Sequence, residues 1–427
     1  MIAEQLNLAN FRGFEQIDLK FESDVNVIAG VNGMGKSGIL QALASLLSRA
    51  LPALTPSTAR AVSFTDDDIT HGKQSLETSA IFTVAKQRCH VVIQRSRTDG
   101  SEGGDTWNLL LEDIYTPDTR TGELTAVQEM TQQTLRQLRQ APNQPLVVYF
   151  STQRFLAGRP RALPELKPFS IANAYSGALQ ARDVDVREFM HWFRVVESGL
   201  LDADGRQATR VLDDLRQVVT RFVPEFTDLR LEERPTLRFI VEKAGVPLVL
   251  NQLSDGERGL LAIIFDLARR LSIANPALDD PVSQGKAMVL IDEIELHLHP
   301  RWQRQVLRRF TETFKNCQFI VTTHSPQVLG EVEGRCVRFL LYEDDQIIAW
   351  TPQHAMGLDS NRILEELMDA TPRNVEVEER LHTLFQLIDD ENFAAAHRCI
   401  EALEEILGDN DPELTRARTL MAFLEGE

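Results

Sequence analysis

Nothing in this chain reads as an export or membrane device. The N-terminus, Met1-Ile2-Ala3-Glu4-Gln5, has no basic stretch followed by an apolar one, so no secretory leader is expected. No apolar run nears the roughly 18 residues of a spanning helix, and the longest, near Leu260–Phe265 and Ala287–Ile291, have the length of core elements. Cys89, Cys317, Cys336 and Cys399 form no CxxC pair, which argues against structural zinc and a disulfide framework and fits a reducing, cytoplasmic compartment. Heptads sustained over three or four repeats are missing, so no long coiled coil is expected. GxSxG, HExxH and an H-N-H grouping are missing too, as is an acidic set of the kind a fused Toprim nuclease needs. Basic excess is also lacking: 45 Lys plus Arg face 63 Asp plus Glu, a net charge of −18. That balance excludes nucleic-acid binding over the whole surface but leaves room for a local basic face.

What is present is ordinary globular material. The 427 residues are 43% hydrophobic and 25% charged, enough for two or three domains with a buried core. The acidity is uneven. Thr351–Glu427 carries 18 acidic and 6 basic residues, net −12, which leaves −6 for the first 350.

Ile17, Leu19 and Phe21 alternate with polar residues as a half-buried strand does, and Val25–Ala29 is a second strand. A glycine-rich turn follows, then Ile39, Leu40, Leu43, Leu46 and Leu47 at helical spacing. Short apolar runs from Glu77 to Leu111, around Gly100-Ser101-Glu102-Gly103-Gly104, predict an antiparallel meander. Leu146–Phe150, Ala287–Ile291 and Phe319–Thr322 read as buried strands, the last two each preceded by a helical stretch, which implies a mostly parallel sheet. Between them, helices from about Ser170 to Phe222 and strands near Leu229 and Leu237–Val241 read as an insertion. Val375–Ile388, Phe393–Leu407 and Glu413–Leu424 predict three amphipathic helices. So short a unit is expected to need an outside surface to bury their apolar faces.

Gly30-Val31-Asn32-Gly33-Met34-Gly35-Lys36-Ser37 fits the phosphate-binding pattern GxxxxGK[ST] between a strand and a helix. Gly30, Asn32, Gly33, Gly35 and Gly38 let backbone N–H groups close on phosphate oxygens. Lys36 supplies charge to the β and γ phosphates, and Ser37 a ligand for Mg²⁺. Ala287–Ile291 ends in Asp292-Glu293: Asp292 to hold Mg²⁺ through water, Glu293 as a general base for the attacking water. His324 ends another core strand at the same sheet edge, within reach of a γ-phosphate. Leu253-Ser254-Asp255-Gly256-Glu257 opens a helix, with Ser254 and Glu257 spaced as a capping box and Ser254 and Gly256 also able to face an anion. His297 and His299 lie two apart without a third ligand nearby, which favours a non-metal reading. Arg301, Arg304, Arg308 and Arg309 fall near one helix face, a solvated basic surface or a contact with DNA phosphates.

Loop, Leu-Ser-Asp-Gly-Glu stretch, Asp-Glu strand and histidine occur in the order of the ABC-type ATPases. Over residues 1–350 the chain resembles their SMC/RecF-like, AAA-named bacterial branch. Asp255 stands where that family more often has Gly, and Glu257 where transporters favour Gln. The resemblance implies an α/β fold with a mostly parallel core sheet, an antiparallel β subdomain, an inserted helical lobe and a C-terminal helical appendix. It divides the chain into 1–155, the core lobe with the phosphate loop; 156–250, the inserted lobe; 251–350, the return of the core; and 351–427, the acidic helices. Gln153 takes the place of the Q-loop glutamine, a further Mg²⁺ group. ATP and Mg²⁺ are the implied cofactors. Ser254 and Gly256 of one protomer complete the site around Lys36 of another in a head-to-tail dimer. The region from Tyr342 onward resembles the ATPases of Septu and retron systems, which implies a regulatory subunit of an anti-phage complex with a separate HNH-type nuclease. A RecF- or SMC-type repair ATPase acting on DNA directly is the alternative, and a transporter motor fits less well.

Overall fold

The structure is a computed structural model that describes residues 1–97, 104–112, 124–154, 156–157, 169–198, 206–232, 238–371 and 373–426. Strands β1 (Ile2–Phe11), β2 (Phe14–Lys20) and β3 (Val25–Gly30) lead into α1 (Lys36–Leu54). Then come β4 (Ser75–Val84), β5 (Gln87–Ser96), β6 (Thr106–Leu111), α2 (Leu124–Gln140) and β7 (Leu146–Phe150). The insertion holds β8 (Leu156–Ala157), β9 (Val184–Asp185), α3 (Val186–Glu197), α4 (Arg206–Phe222), β10 (Phe226–Glu232), β11 (Arg238–Lys243) and β12 (Val246–Val249). The core resumes with α5 (Asp255–Ala274), α6 (Pro281–Gln284), β13 (Ala287–Ile291), α7 (Pro300–Thr313), β14 (Cys317–Thr323), α8 (Pro326–Leu329), β15 (Val337–Glu343) and β16 (Gln346–Trp350). Four helices end the chain: α9 (Ser360–Glu366), α10 (Val375–Asp389), α11 (Phe393–Leu407) and α12 (Pro412–Glu425).

The core sheet runs β16-β15-β3-β14-β13-β7, with every neighbour parallel except the β15–β16 hairpin. β3, β7, β13 and β14 are buried at every residue, which is why they read as unbroken apolar runs: a parallel sheet is covered on both faces. A second, antiparallel sheet, β2-β1-β4-β5-β6, is the expected meander enlarged by the first two strands. Residues 100–103 of the meander's glycine-rich turn lie outside the described residues. Helix α1 packs against β4 and β5 of this sheet and against β3, β7, β13 and β14 of the other. Among the described residues it is the one helix long and apolar enough to cross a bilayer, and it is mostly buried, as the central helix of a layered core is.

The insertion is not purely helical. Beside α3 and α4 it carries the antiparallel sheet β10-β11-β12, whose first two strands match the expected ones. Phe189 of α3 stacks on Phe265 of α5 with ring centroids 4.2 Å apart, tying the insertion to the helix that follows it. Helix α2 has no counterpart among the sequence expectations, although Leu124, Val127, Leu135 and Leu138 stand at helical spacing within its mostly polar sequence.

The chain divides into two compact units, Met1–Leu358 and Asp359–Glu427. The second begins past the boundary expected at 351, and the segments 1–155, 156–250 and 251–350 all lie in the first. In the second unit, α10, α11 and α12 have nearly the expected bounds. Their apolar faces pack on one another, with Leu381, Leu384, Ile388, Ala396, Ile400, Leu403, Leu414, Ala417 and Met421 buried together. No outside surface is needed to cover those residues, which corrects the sequence expectation: three helices of three to four turns each suffice.

Candidate active site

The sheet order decides which residues meet. β3, β14, β13 and β7 are parallel neighbours, so the residues leaving their C-terminal ends share one edge: the Gly30–Lys36 loop, His324, Asp292-Glu293, and the segment after Phe150. Gly35, at φ 80°, is the last residue before α1. A Cβ there would come within 2.6 Å of the Phe14 ring, so both handedness and space demand glycine.

Lys36 is buried, and its Nζ donates to the carbonyls of Gly30 and Val31, each at 2.9 Å. Burial pushes its pKa down to about 8, against the opposing pull of Glu293, Glu295 and Asp292. His324 Nδ1 lies 3.5 Å from Lys36 Nζ. Burial, and then the lysine charge, lower the imidazole pKa and favour its neutral form. The His324 backbone N–H donates to Glu295 Oε1 at 2.5 Å.

Ser37 Oγ donates to Asp292 Oδ1 at 2.9 Å, and Thr322 Oγ1 donates to the same oxygen at 2.7 Å. Thr322 Oγ1 in turn accepts the Glu293 N–H at 2.7 Å. The Ser37–Asp292 spacing suits two adjacent oxygen ligands of an octahedral ion bound at about 2.0–2.1 Å, so these residues fit Mg²⁺. No cluster of three or more His, Cys, Asp or Glu among the described residues could hold a metal by itself, so His297 and His299 form no such site. His299 instead caps α7, its Nδ1 accepting the Arg301 N–H.

Glu293 has φ 46°, a left-handed backbone that glutamate rarely adopts. Arg154 is buried, and its guanidinium donates to the carbonyls of Asp292 and Glu293. Arg154, Thr322 and Glu295 are site residues that motif reading missed. Arg154 could have been sought next to Gln153, but its burial depends on β7 lying beside β13. Gln153 itself is exposed at the rim, with its N–H donating to Ser151 Oγ.

Ser254 and Gly256 are not part of the Lys36 cluster: among the described residues, neither hydrogen-bonds to that loop. Ser254 and Glu257 form the expected capping box, and Lys243 holds Glu257 at 2.6 Å. A Cβ on Gly256 would meet the His297 carbonyl at 2.3 Å, so this position packs directly on the turn after β13. Of the basic helix face, Arg304 pairs with Glu331, Arg308 with Glu312, and Arg309 with the Phe222 carbonyl.

A family model described as "AAA domain, putative AbiEii toxin, Type IV TA system" matches residues 134–330, and another described as "AAA domain" matches residues 5–191. The "Retron Ec83 probable ATPase" of Escherichia coli is 37% identical over 214 residues, 49% of this chain and 39% of that protein. "Septu protein PtuA" of Bacillus mycoides (strain KBAB4) is 34% identical over 105 residues, 24% of this chain and 14% of that protein. The chain thus spans well under half the length of these relatives. Among solved structures, the SMC head domain from Thermotoga maritima aligns with 82% of this chain and 99% of its own, at TM-score 0.44 and 16% identity. The two family matches between them run through all four strands that meet at the Lys36 edge, and over these stretches the chain is similar to AAA domains and to the retron and Septu ATPases.

Proposed function

We propose that the chain binds and hydrolyses Mg²⁺-ATP as the regulatory subunit of an anti-phage defence complex, in the cytoplasm, with a separate HNH-type nuclease as effector. The observation that carries the catalytic part is the Ser37–Asp292–Thr322 hydrogen-bond chain with Lys36 and His324 beside it. The likeness to a retron and a Septu ATPase supports the defence part.

Backbone N–H groups from Gly33 to Ser37 and the Lys36 ammonium bind the β and γ phosphates of ATP. Ser37 and Asp292, with Gln153 at the rim, would hold Mg²⁺, which supplies positive charge against the phosphate oxygens. Glu293 takes the proton of the attacking water as general base, and His324 contacts the γ-phosphate. Ser254 and Gly256 of a second copy close the nucleotide in a head-to-tail dimer.

The test uses the purified full chain. Lys36→Ala should raise the ATP Kd at least about 100-fold, while Glu293→Gln should leave Kd within a few-fold and lower kcat about 10²–10³-fold. Wild-type turnover in Glu293→Gln would refute the catalytic assignment. Mixing Lys36→Ala with Ser254→Arg chains should recover part of the activity lost in each, because one composite site of the heterodimer is intact. Deleting Val375–Glu427 should spare ATP binding and lose the nuclease in co-purification. ATPase stimulation of the isolated chain by DNA, falling steeply with salt, would favour the direct DNA-acting alternative.

A further inference from the structure

The catalytic turn at Glu293 is fixed from two sides. From β14, Thr322 Oγ1 accepts the Glu293 N–H at 2.7 Å and the Thr322 carbonyl accepts the Ile294 N–H at 3.0 Å. On the β7 side the ladder ends one residue earlier, with the Asp292 N–H donating to the Phe150 carbonyl at 2.8 Å. Past that point no strand lies beside the carbonyls of Asp292 and Glu293, and the Glu293 carbonyl accepts the Leu296 N–H of its own turn at 2.9 Å. Arg154 takes the strand's place: Nη1 donates to the carbonyls of Asp292 and Ser151, and Nη2 to the carbonyl of Glu293. A guanidinium is suited to this, because its rigid planar fork presents separate, fixed donors to the two carbonyls, whereas an ammonium is a compact point charge on a flexible stem. Its charge also lies among Asp292, Glu293 and Glu295, close enough for all three to act on it. A buried cation facing three carboxylates, yet bonded to main-chain carbonyls, is placed to shape backbone.

The geometry points to Arg154 as a positioning residue for ATP hydrolysis: by tying the carbonyls of Asp292 and Glu293 to the segment that opens the insertion, it holds the left-handed turn that aims the Glu293 carboxylate. This rests on the function proposed above. It adds that the segment just before the insertion, which carries Arg154, reaches the catalytic turn through main-chain carbonyls and not through the nucleotide. A shift of the segment after Phe150 would move Glu293 directly.

The experiment compares wild type, Arg154→Gln and Arg154→Lys in the full chain. Four quantities are read: ATP Kd, kcat, melting temperature and hydrogen exchange over residues 291–296 without nucleotide. Arg154→Gln should lower kcat at least about 30-fold with Kd within about threefold, since misplacement of a reacting group costs rate before it costs binding. Arg154→Lys keeps the buried charge and should recover melting temperature but less than a tenth of the lost kcat; it carries the test if Arg154→Gln does not fold. Exchange at 291–296 should rise in both. Added to Glu293→Gln, either substitution should cost less than about threefold more, because both act through one carboxylate. A kcat within threefold of wild type, multiplicative losses in the double variant, or unchanged exchange at 291–296 would each overturn the assignment. If wild type hydrolyses no ATP, the proposed function falls, and the exchange measurement still decides whether Arg154 holds the turn.

Discussion

The two compact units treat charge in opposite ways. In Met1–Leu358, Lys36, Arg154, Glu257, Asp266, Arg269, Arg270 and Asp292 are all buried. In Asp359–Glu427, which holds the whole of the −12 found beyond residue 350, no charged side chain among the described residues is buried. Its core is entirely apolar, and its charges sit in surface pairs such as Arg373–Asp411 and Arg380–Glu376. Burying ions costs stability unless partners compensate, so a fold does it where the ions have work to do. The first unit keeps ions in its interior, some of them at the Lys36 edge, whereas the second has a plain hydrophobic interior and a charged exterior.

Three measurements can break or sharpen that contrast. The largest effect is expected at Asp266, which holds Arg269 at 2.7 Å and Arg270 at 2.6 Å inside the first unit. Asp266→Ala takes the paired carboxylate from buried Arg270, leaves Arg269 with Glu188 at 3.0 Å, and should destabilise this unit by about 3–5 kcal/mol in denaturant unfolding. A loss below about 1 kcal/mol would mean that buried charge is no special burden here. Next is Leu384→Ala in the apolar core of the second unit, which should cost about 2–4 kcal/mol by the cavity it leaves. ATP turnover should stay within twofold; a tenfold fall would mean that the two units are not independent. The smallest effect is a pH dependence. Lys36, buried, titrates at about 8 against an ordinary 10.5, so its ammonium is lost as pH rises through 8. ATP Kd should therefore rise several-fold between pH 7 and 9. The stability contribution of this group runs the other way: between 8 and 10.5 the unfolded chain binds a proton that the folded chain has shed, so its penalty on folding eases with rising pH. A flat Kd over that range would separate Lys36 from phosphate binding.

Elements with local signals were legible from sequence. The three last helices are flanked by Asn374, Asn392 and Asp411, each of which caps its helix, and their periodicity fixed the bounds to within about two residues. The phosphate loop and the strand ending in Asp292 were legible for the same reason: residue type and spacing carry them. What stayed hidden depends on which strands are neighbours. Thr322 reads as one more β-branched core residue until β14 lies beside β13, where its hydroxyl joins Asp292 to the Glu293 amide. Arg154 reads as a surface charge until β7 closes the other flank. Gly256 reads as helix-start chemistry, whereas the nearby His297 carbonyl gives it a packing reason as well.

The backbone at Glu293 has one more consequence. A φ of 46° is cheap for glycine and tolerable for asparagine, but costs a residue such as glutamate about 1–2 kcal/mol. Under the catalytic role proposed for Glu293, position 293 is a point where durability and activity pull apart, and glycine at that site is expected to give a tougher, idle protein. The sequence keeps the less comfortable residue, and the surrounding bonds from Thr322 and Arg154 are what make that choice sustainable.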